Sequence, residues 1–511
     1  MKPVEQDPCS NSYHLGPIAI FGIALTSLIY FADIFLRASQ KCFWFDELFT
    51  VYLSRLHTLG SIYTANAHGV DFNPPLFYFF TRASEHFFGE GLIATRLPEM
   101  LAVWLFCLCL FLFVSRRLGP LSGLVAGVLP FFTLIQYYAY EARPHGLVLG
   151  WCGLMLIFWQ RAQEGQRRKL WLIGLGLCMM GALLTHVYAV YLAFPFAVVE
   201  LNELFSNRRM DWIASAAILL PLVAAVPVYL PLFHVYRLIA PKVFLPAAHD
   251  AIEHYFIQVM GPAGMVVLLA IALIVFGREP DAAPADGLSR QEAVLAAAFA
   301  ILPFVGWLGA LVSHGPFVSR YFLSGVAGYA VLLAAAISLP GVRLWATKVL
   351  ACTMFLLLLM DLAMAAHELI KHNFVLVEPS SGIVLTTTPK TPMVRYASLA
   401  TADPSLDVLV PPPLQYLYFF NYAPRAVASR LYYAGSATDF FTYALNELRE
   451  WAHLDLKVVE IRPFLASHHR FLLYESNNDF RSMPVEFFLN AGYKMKSMHT
   501  DRGGTLYELE R

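Results

Sequence analysis

Apolar residues run along this chain in long unbroken blocks, with polar residues confined to the connections between them. A helix of about twenty apolar residues crosses roughly 30 Å of hydrocarbon. On that criterion the pattern predicts eleven spans: 17–36, 94–114, 119–136, 144–160, 170–186, 187–204, 212–233, 259–277, 293–312, 321–340 and 348–366. Lys and Arg then assign the sides, because cytoplasmic connections are enriched in them. Arg116–Arg117, Arg161 with Arg167–Arg168–Lys169, Arg208–Arg209, Arg278 with Arg290, and Arg343 with Lys348 all fall on alternate connections. The N-terminus is therefore expected in the cytoplasm and the C-terminus outside. The pair 170–186 and 187–204 has almost no loop between its members, and merging it would reverse everything downstream; Arg208–Arg209 argues for two spans.

Two outer connections are long. In 37–93, the stretch 46–66 reads as an amphipathic helix and 73–88 opens with Asn73-Pro74-Pro75 before turning aromatic, as segments lying on a membrane surface do. The connection 234–258 is similar but weaker. From about residue 380 the periodicity changes. Short β-rich runs at Ile383–Thr387, Asp407–Val410, Arg430–Tyr433, Lys457–Ile461, Arg470–Glu475, Lys494–Met498 and Thr505–Glu508 are interleaved with helical patterns, notably 438–451 and 483–491. That alternation predicts a small α/β domain with a largely parallel sheet. The expected fold is thus an α-helical polytopic membrane domain over 1–366 followed by a C-terminal extracytoplasmic α/β domain over 367–511.

Composition agrees. The 511 residues are 58% hydrophobic and 14% charged, with a mean hydropathy of +0.57; a soluble domain averages about 25% charged residues. Net charge is zero, which gives no electrostatic case for nucleic acid. Of seven cysteines, Cys107, Cys109, Cys152, Cys178 and Cys352 lie in apolar runs and read as small hydrophobes. The first apolar run lacks a basic leader and a small-residue cleavage site, so it reads as a span rather than a signal peptide. No phosphate-binding glycine loop, D-x-D motif or internal repeat is present.

Ionisable residues at membrane depth are costly and mark function, and here they gather on the outer side. Asp46-Glu47 sits in the aromatic run 43–49. A partly desolvated carboxylate there is a better proton acceptor near neutral pH; the alternative reading is a helix cap with a first-turn acid. The run 137–145 contains Glu141 and Arg143, whose guanidinium fork suits phosphate oxygens, or which form a simple ion pair beside anchoring tyrosines. Arg320-Tyr321 and His186 lie at outer span ends, where anchoring is the plain alternative. Arg96 lines the same cavity or snorkels. His367 and His372 are one residue too far apart for a zinc-binding H-E-x-x-H, and His249, Glu253 and His254 read as a solvated loop helix.

Over 43–150 the chain resembles the N-terminal core of the GT-C superfamily of polytopic glycosyltransferases, closest to its branch of protein O-mannosyltransferases and bacterial aminoarabinose and Rgt-type transferases. The matching pieces are Asp46-Glu47, Asn73-Pro74-Pro75-Leu76-Phe77-Tyr78, Ala94-Thr95-Arg96-Leu97-Pro98 and Tyr140-Glu141-Ala142-Arg143-Pro144, followed by Thr185-His186-Val187-Tyr188 and Arg320-Tyr321-Phe322. Family members often carry His before Pro-Pro, where this chain has Asn73. The resemblance implies a polyprenyl-phosphate-linked sugar donor, a lipid, glycan or protein acceptor on the outer face of the plasma (inner) membrane, and inversion at the anomeric carbon. It makes Asp46 the general base and Glu47 its positioning partner. Arg143 and Arg320 become candidates for stabilising the departing phosphate, with Glu141, Tyr321, His186, Arg96 and Asn73 around them. The scheme requires no cofactor, and the sequence offers no support for a divalent metal. The competing reading is a transporter or flippase of lipid-linked sugars, which would place charges near the bilayer centre.

Overall fold

The computed structural model describes residues 16–243, 246–279, 287–370, 375–377, 384–386, 399, 402–436, 440–476, 485–500 and 504–511. Each of the eleven apolar blocks is helical. In chain order the helices are α1 (Pro17–Gln40), α2 (Phe45–Ser54), α3 (Leu59–Ala67), α4 (Leu76–Phe88), α5 (Leu92–Leu118), α6 (Pro120–Val128), α7 (Ile135–Tyr138), α8 (His145–Gln163), α9 (Arg168–Thr185), α10 (Ala193–Asn207), α11 (Trp212–Val243), α12 (Ala251–Met260), α13 (Ala263–Phe276), α14 (Arg290–Ser313), α15 (Gly325–Ile337) and α16 (Leu344–Ile370). Among the described residues, eight helical segments are long and apolar enough to cross a membrane. The other three predicted spans coincide with α6 extended by a 3₁₀ turn to Phe132, with α8, whose ends carry His145, Gln160 and Arg161, and with α15. The pair at 170–204 stays separate. His186 turns to extended backbone, and its ring nitrogen accepts the Tyr188 N–H to start a 3₁₀ turn.

The connections that carry the basic residues converge on one end of the bundle. Arg117 donates to Glu292 at 2.9 Å and Gln160 to the same carboxylate at 2.7 Å. Arg116 pairs with Glu164, Arg168 with Asp211, and the Ser122 and Ser338 hydroxyls meet at 2.6 Å. At the centre, α8 lies on α5 through a glycine face. A Cβ added at Gly150 would sit 3.0 Å from the Ala102 Cβ, and one at Gly153 3.0 Å from the Phe106 Cα. Such close approach is how helices associate where lipid removes the hydrophobic drive. It fixes the start of α8, and the Glu141–Arg143 turn before it, against the N-terminal half of α5.

The expected amphipathic helix 46–66 is in fact two. The Thr58 side chain accepts the Ser61 N–H at 3.0 Å and caps α3, breaking the helix after Ser54. Neither piece floats on the surface: Leu48, Thr50, Leu53 and Ile62 are buried.

The C-terminal sheet runs in the order β5-β4-β3-β6-β8-β7, where β3 is Val408–Leu409, β4 Leu431–Gly435, β5 Lys457–Glu460, β6 Arg470–Ser476, β7 Lys494–Thr500 and β8 Gly504–Glu510. β3, β4, β5 and β6 are parallel, as expected. β8 is antiparallel to both β6 and β7. Only three residues join β7 to β8, which suits a hairpin and is too short for a parallel crossover. The first predicted run lies outside this sheet: β2 (Val384–Thr386) pairs antiparallel with β1 (Val375–Val377). Residues 383, 387, 438–439 and 483–484 of the expected elements lie outside the described residues. Helices Pro413–Tyr422 and Phe440–Ala452 of this domain pack on the 43–72 segment between α1 and α5.

Candidate functional site

The connection between α1 and α5 is built around Glu47. At the third position of α2 its carboxylate is fully buried and turns back to accept the Trp44 N–H at 3.2 Å, the reciprocal half of a helix-capping arrangement. It also accepts from Lys41 at 2.6 Å, from Arg96 Nε and Nη2 at 2.7 and 2.9 Å, and from the Ala142 N–H at 2.8 Å. Burial alone would raise this carboxyl, but the Arg96 and Lys41 charges outweigh it and hold it down to about 2. Arg96 spends its remaining donors on the carbonyls of Ala38, Lys41 and Cys42. It is wholly buried, neither lining a cavity nor snorkelling, and it acts through Glu47 on the turn that carries Asp46. Lys41 also reaches Glu141, and the Thr50 hydroxyl donates to the Ala142 carbonyl at 2.9 Å. The two predicted pieces of sequence, 43–49 and 137–145, are thereby locked together from below.

Asp46 faces the other way. Its side chain keeps 28% of its exposure and lies 4.0 Å from the Arg320 guanidinium. Its carbonyl accepts from Arg143 at 3.1 Å. Arg143 is in turn held by Asp71 at 2.6 Å. Asp71 also accepts from the Tyr78 hydroxyl at 2.7 Å, the Asn73 amide at 3.0 Å and the Phe72 N–H at 2.7 Å. Burial pushes the Asp71 carboxyl up, and Arg143 with these donors brings it below its ordinary value. Asn73 thus touches Asp71 rather than the open face of the site.

Beside Arg320 the rings gather. Tyr321 lies 4.4 Å from Tyr188, 4.8 Å from His186 and 5.7 Å from His145, with the Arg320 guanidinium 5.5 Å from the Tyr321 ring. Tyr188 is shared with the wall of an apolar cavity of about 480 Å³ between the 187–192 turn, α11 and α14. Phe72, Tyr191, Tyr229, Tyr236 and Gly306 complete much of that wall. A half-exposed acid, two arginines and an aromatic slot therefore adjoin one another at the end of the bundle opposite the basic connections. Such a set can accept a proton, hold an anion and seat a hydrocarbon chain. Among the described residues, no group of three His, Cys, Asp or Glu is spaced to hold a metal ion, and His249, Glu253 and His254 are exposed.

Five of the nine residues singled out in the sequence thus meet at the open face: Asp46, Arg143, His186, Arg320 and Tyr321. Glu47, Glu141, Arg96 and Asn73 stand behind it as buried supports. Sequence reasoning passed over Lys41 and Asp71, and it quoted His145 and Tyr188 within their motifs without giving either a role. A lysine closing the first apolar block, and an acid two residues before Asn73-Pro74-Pro75, were the signals available for the first two.

The sequence profile of the dolichyl-phosphate-mannose-protein mannosyltransferase family matches residues 73–234. No curated protein matches the chain in sequence. In structure it is similar to ArnT from Cupriavidus metallidurans in the apo state, with a TM-score of 0.58 and 13% identity over 96% of this chain and 97% of that one. The same protein bound to undecaprenyl phosphate is similar with a TM-score of 0.57 and 13% identity, over 96% of this chain and 98% of that one. The chain thus shares the fold of ArnT along nearly its whole length.

Proposed function

We propose that this polytopic GT-C-fold protein is a glycosyltransferase that moves a sugar from a polyprenyl-phosphate carrier to an acceptor hydroxyl on the extracytoplasmic side of the plasma membrane. The observation that carries the reading is Asp46: a half-exposed carboxylate 4.0 Å from Arg320, on a turn whose other acid is spent on structure. The mannosyltransferase profile over 73–234 and the ArnT-like fold support the reaction class and a lipid-linked donor. The solved relative that holds undecaprenyl phosphate supports a phosphate-headed polyprenyl chain. The alternating basic connections support a cytoplasmic N-terminus and an extracytoplasmic C-terminal domain.

In the proposed step Asp46 takes the acceptor hydroxyl proton while the hydroxyl oxygen attacks the anomeric carbon. The bond from that carbon to the phosphate oxygen breaks, the oxygen keeps the electron pair, and the configuration inverts. Arg320 and Arg143 face the growing phosphate charge. Preorganised cations in a water-poor site are effective at that task, because they need no reorganisation as the charge develops. The aromatic cavity beginning at Tyr188 takes the first part of the polyprenyl chain, and the Tyr321–His186 cluster flanks the sugar. Glu47, Arg96, Lys41 and Glu141 hold the Asp46 turn in place. No cofactor enters this scheme.

The test is transfer of radiolabelled sugar from membrane polyprenyl phosphates by the wild type, Asp46→Asn and Arg320→Gln at matched membrane levels. Asp46→Asn is expected to lose about 10²–10⁴ in rate. Transfer by wild type with undiminished Asp46→Asn would remove Asp46 from its role. Absence of transfer across a panel of carrier sugars and outer-face acceptors would favour the flippase reading.

A further inference from the structure

The α/β domain grips the loop that bears Asp46 at several points, from two different helices. From Pro413–Tyr422, the Tyr422 hydroxyl accepts the Phe43 N–H at 2.7 Å, and Asn421 accepts from the Tyr52 hydroxyl at 2.8 Å. From Phe440–Ala452, the Phe441 ring meets Phe45 edge-on at 5.7 Å, and Phe440 stacks on Phe72 at 5.9 Å. The Tyr443 hydroxyl donates to the His68 carbonyl at 2.6 Å, and the His68 ring lies 5.5 Å from Trp451. Phe43 and Phe45 bracket the turn into α2, while Phe72 adjoins Asp71. Both helices follow strands of the parallel part of the sheet, β3 and β4, so the sheet holds them side by side.

We infer that Tyr422 and Phe441 are positioning residues for Asp46: the α/β domain seats the general base from above, as Glu47 and Arg96 seat it from below. The inference rests on the glycosyltransferase reading. Its physical basis is adjacency along the chain. Glu47 fixes the backbone of the α2 turn through charged hydrogen bonds, and Asp46, the residue before it, carries its carboxylate 4.0 Å from Arg320. The direction of that carboxylate depends on how residues 43–45 are held, and Tyr422 and Phe441 hold them. A misplacement of about 1 Å at a reacting group costs up to about 10²-fold in rate.

The experiment uses the full chain in membranes or nanodiscs and compares wild type with Tyr422→Phe, Phe441→Ala and Phe441→Leu. Phe441→Ala and Tyr422→Phe are expected to lower kcat by roughly 10- to 10²-fold with the donor KM unchanged, and to shift the pH limb of kcat that reports the base. Phe441→Leu, which keeps a large apolar side chain against Phe45, should recover part of the loss. Unchanged kcat and pH limb would overturn the inference; so would a fall in active fraction with the pH limb in its wild-type place, because that marks loss of folded protein only. Hydrogen exchange separates this inference from the reaction assigned above, since it needs no turnover. In the Tyr422→Phe/Phe441→Ala protein, amides of 43–52 should exchange faster while those of α5 keep their protection. Unaltered protection at 43–52 would overturn the positioning role even if no sugar transfer were ever observed.

Discussion

Glu47→Gln takes away the carboxylate that both Lys41 and Arg96 bind, and leaves wholly buried Arg96 without its acid and Lys41 with Glu141 alone. Breaking a buried pair in this way costs about 3–5 kcal/mol. The thermal midpoint of the detergent-solubilised protein should therefore fall steeply for Glu47→Gln and little for Asp46→Asn, although the residues are neighbours; equal midpoints would contradict the division of labour. Glu141 adds a pH dependence. Burial first, and then the nearby Glu47 charge, push its carboxyl up to about 7. Between its ordinary value and that one, the folded protein binds the proton and the unfolded chain does not. The contribution is thus fully present below the ordinary value and is lost as pH rises through about 7. Glu141→Gln should flatten the decline of the midpoint over that window, and an unchanged slope would refute the assignment. Little of this pairing could be read in the sequence. Asp46-Glu47 and Glu141-Ala142-Arg143 stood out because charge at membrane depth is rare. Which charge meets which was not legible, because Lys41 finds Glu141 one hundred residues away and Arg143 finds Asp71 across seventy-two.

Helices were the most legible element, since the hydrocarbon thickness sets a length that any apolar block must satisfy. Their contacts were less so. Gly146, Gly150 and Gly153 lie within an apolar run where small residues attract no notice, yet they set how closely α8 approaches α5. Gly150→Leu should cost about 1–3 kcal/mol through overpacking and lower transfer as well, because α8 carries Arg143 immediately before its first turn. Gly264→Leu, where an added Cβ would meet nothing within 4 Å, should leave both stability and transfer at wild-type levels. Comparable damage from the two changes, read by thermal midpoint and initial rate, would argue against the glycine face. The break between α2 and α3 was encoded all along in Thr58 and Ser61, but a continuous amphipathic pattern concealed it. Strand positions in the C-terminal domain were legible from residue type; the antiparallel sense of β8 depended on the length of one connection.

At the scale of the whole molecule, the alternating basic connections give a topology that labelling can check. In intact cells a membrane-impermeant maleimide should modify Glu90→Cys, at the exposed end of the first outer loop, and spare Gln166→Cys, in the basic connection before α9; the unsubstituted chain supplies the background. The reverse pattern would invert every span. The bundle and its site region are contiguous in space but widely separated along the chain, and the grip of the α/β domain on residues 43–72 gives that separation a meaning in time. Asp46 leaves the ribosome near the start of synthesis, whereas Tyr422 and Phe441 follow after every span has been made, roughly 20–75 s later at ordinary elongation rates. On the positioning role assigned to those two residues, a nascent or truncated chain holds all the reacting groups yet lacks the part that aims them. On that reading, completion of translation is itself the step that raises transfer to its full rate, so chains that end after the last span would draw on carrier-linked sugar roughly 10- to 10²-fold more slowly.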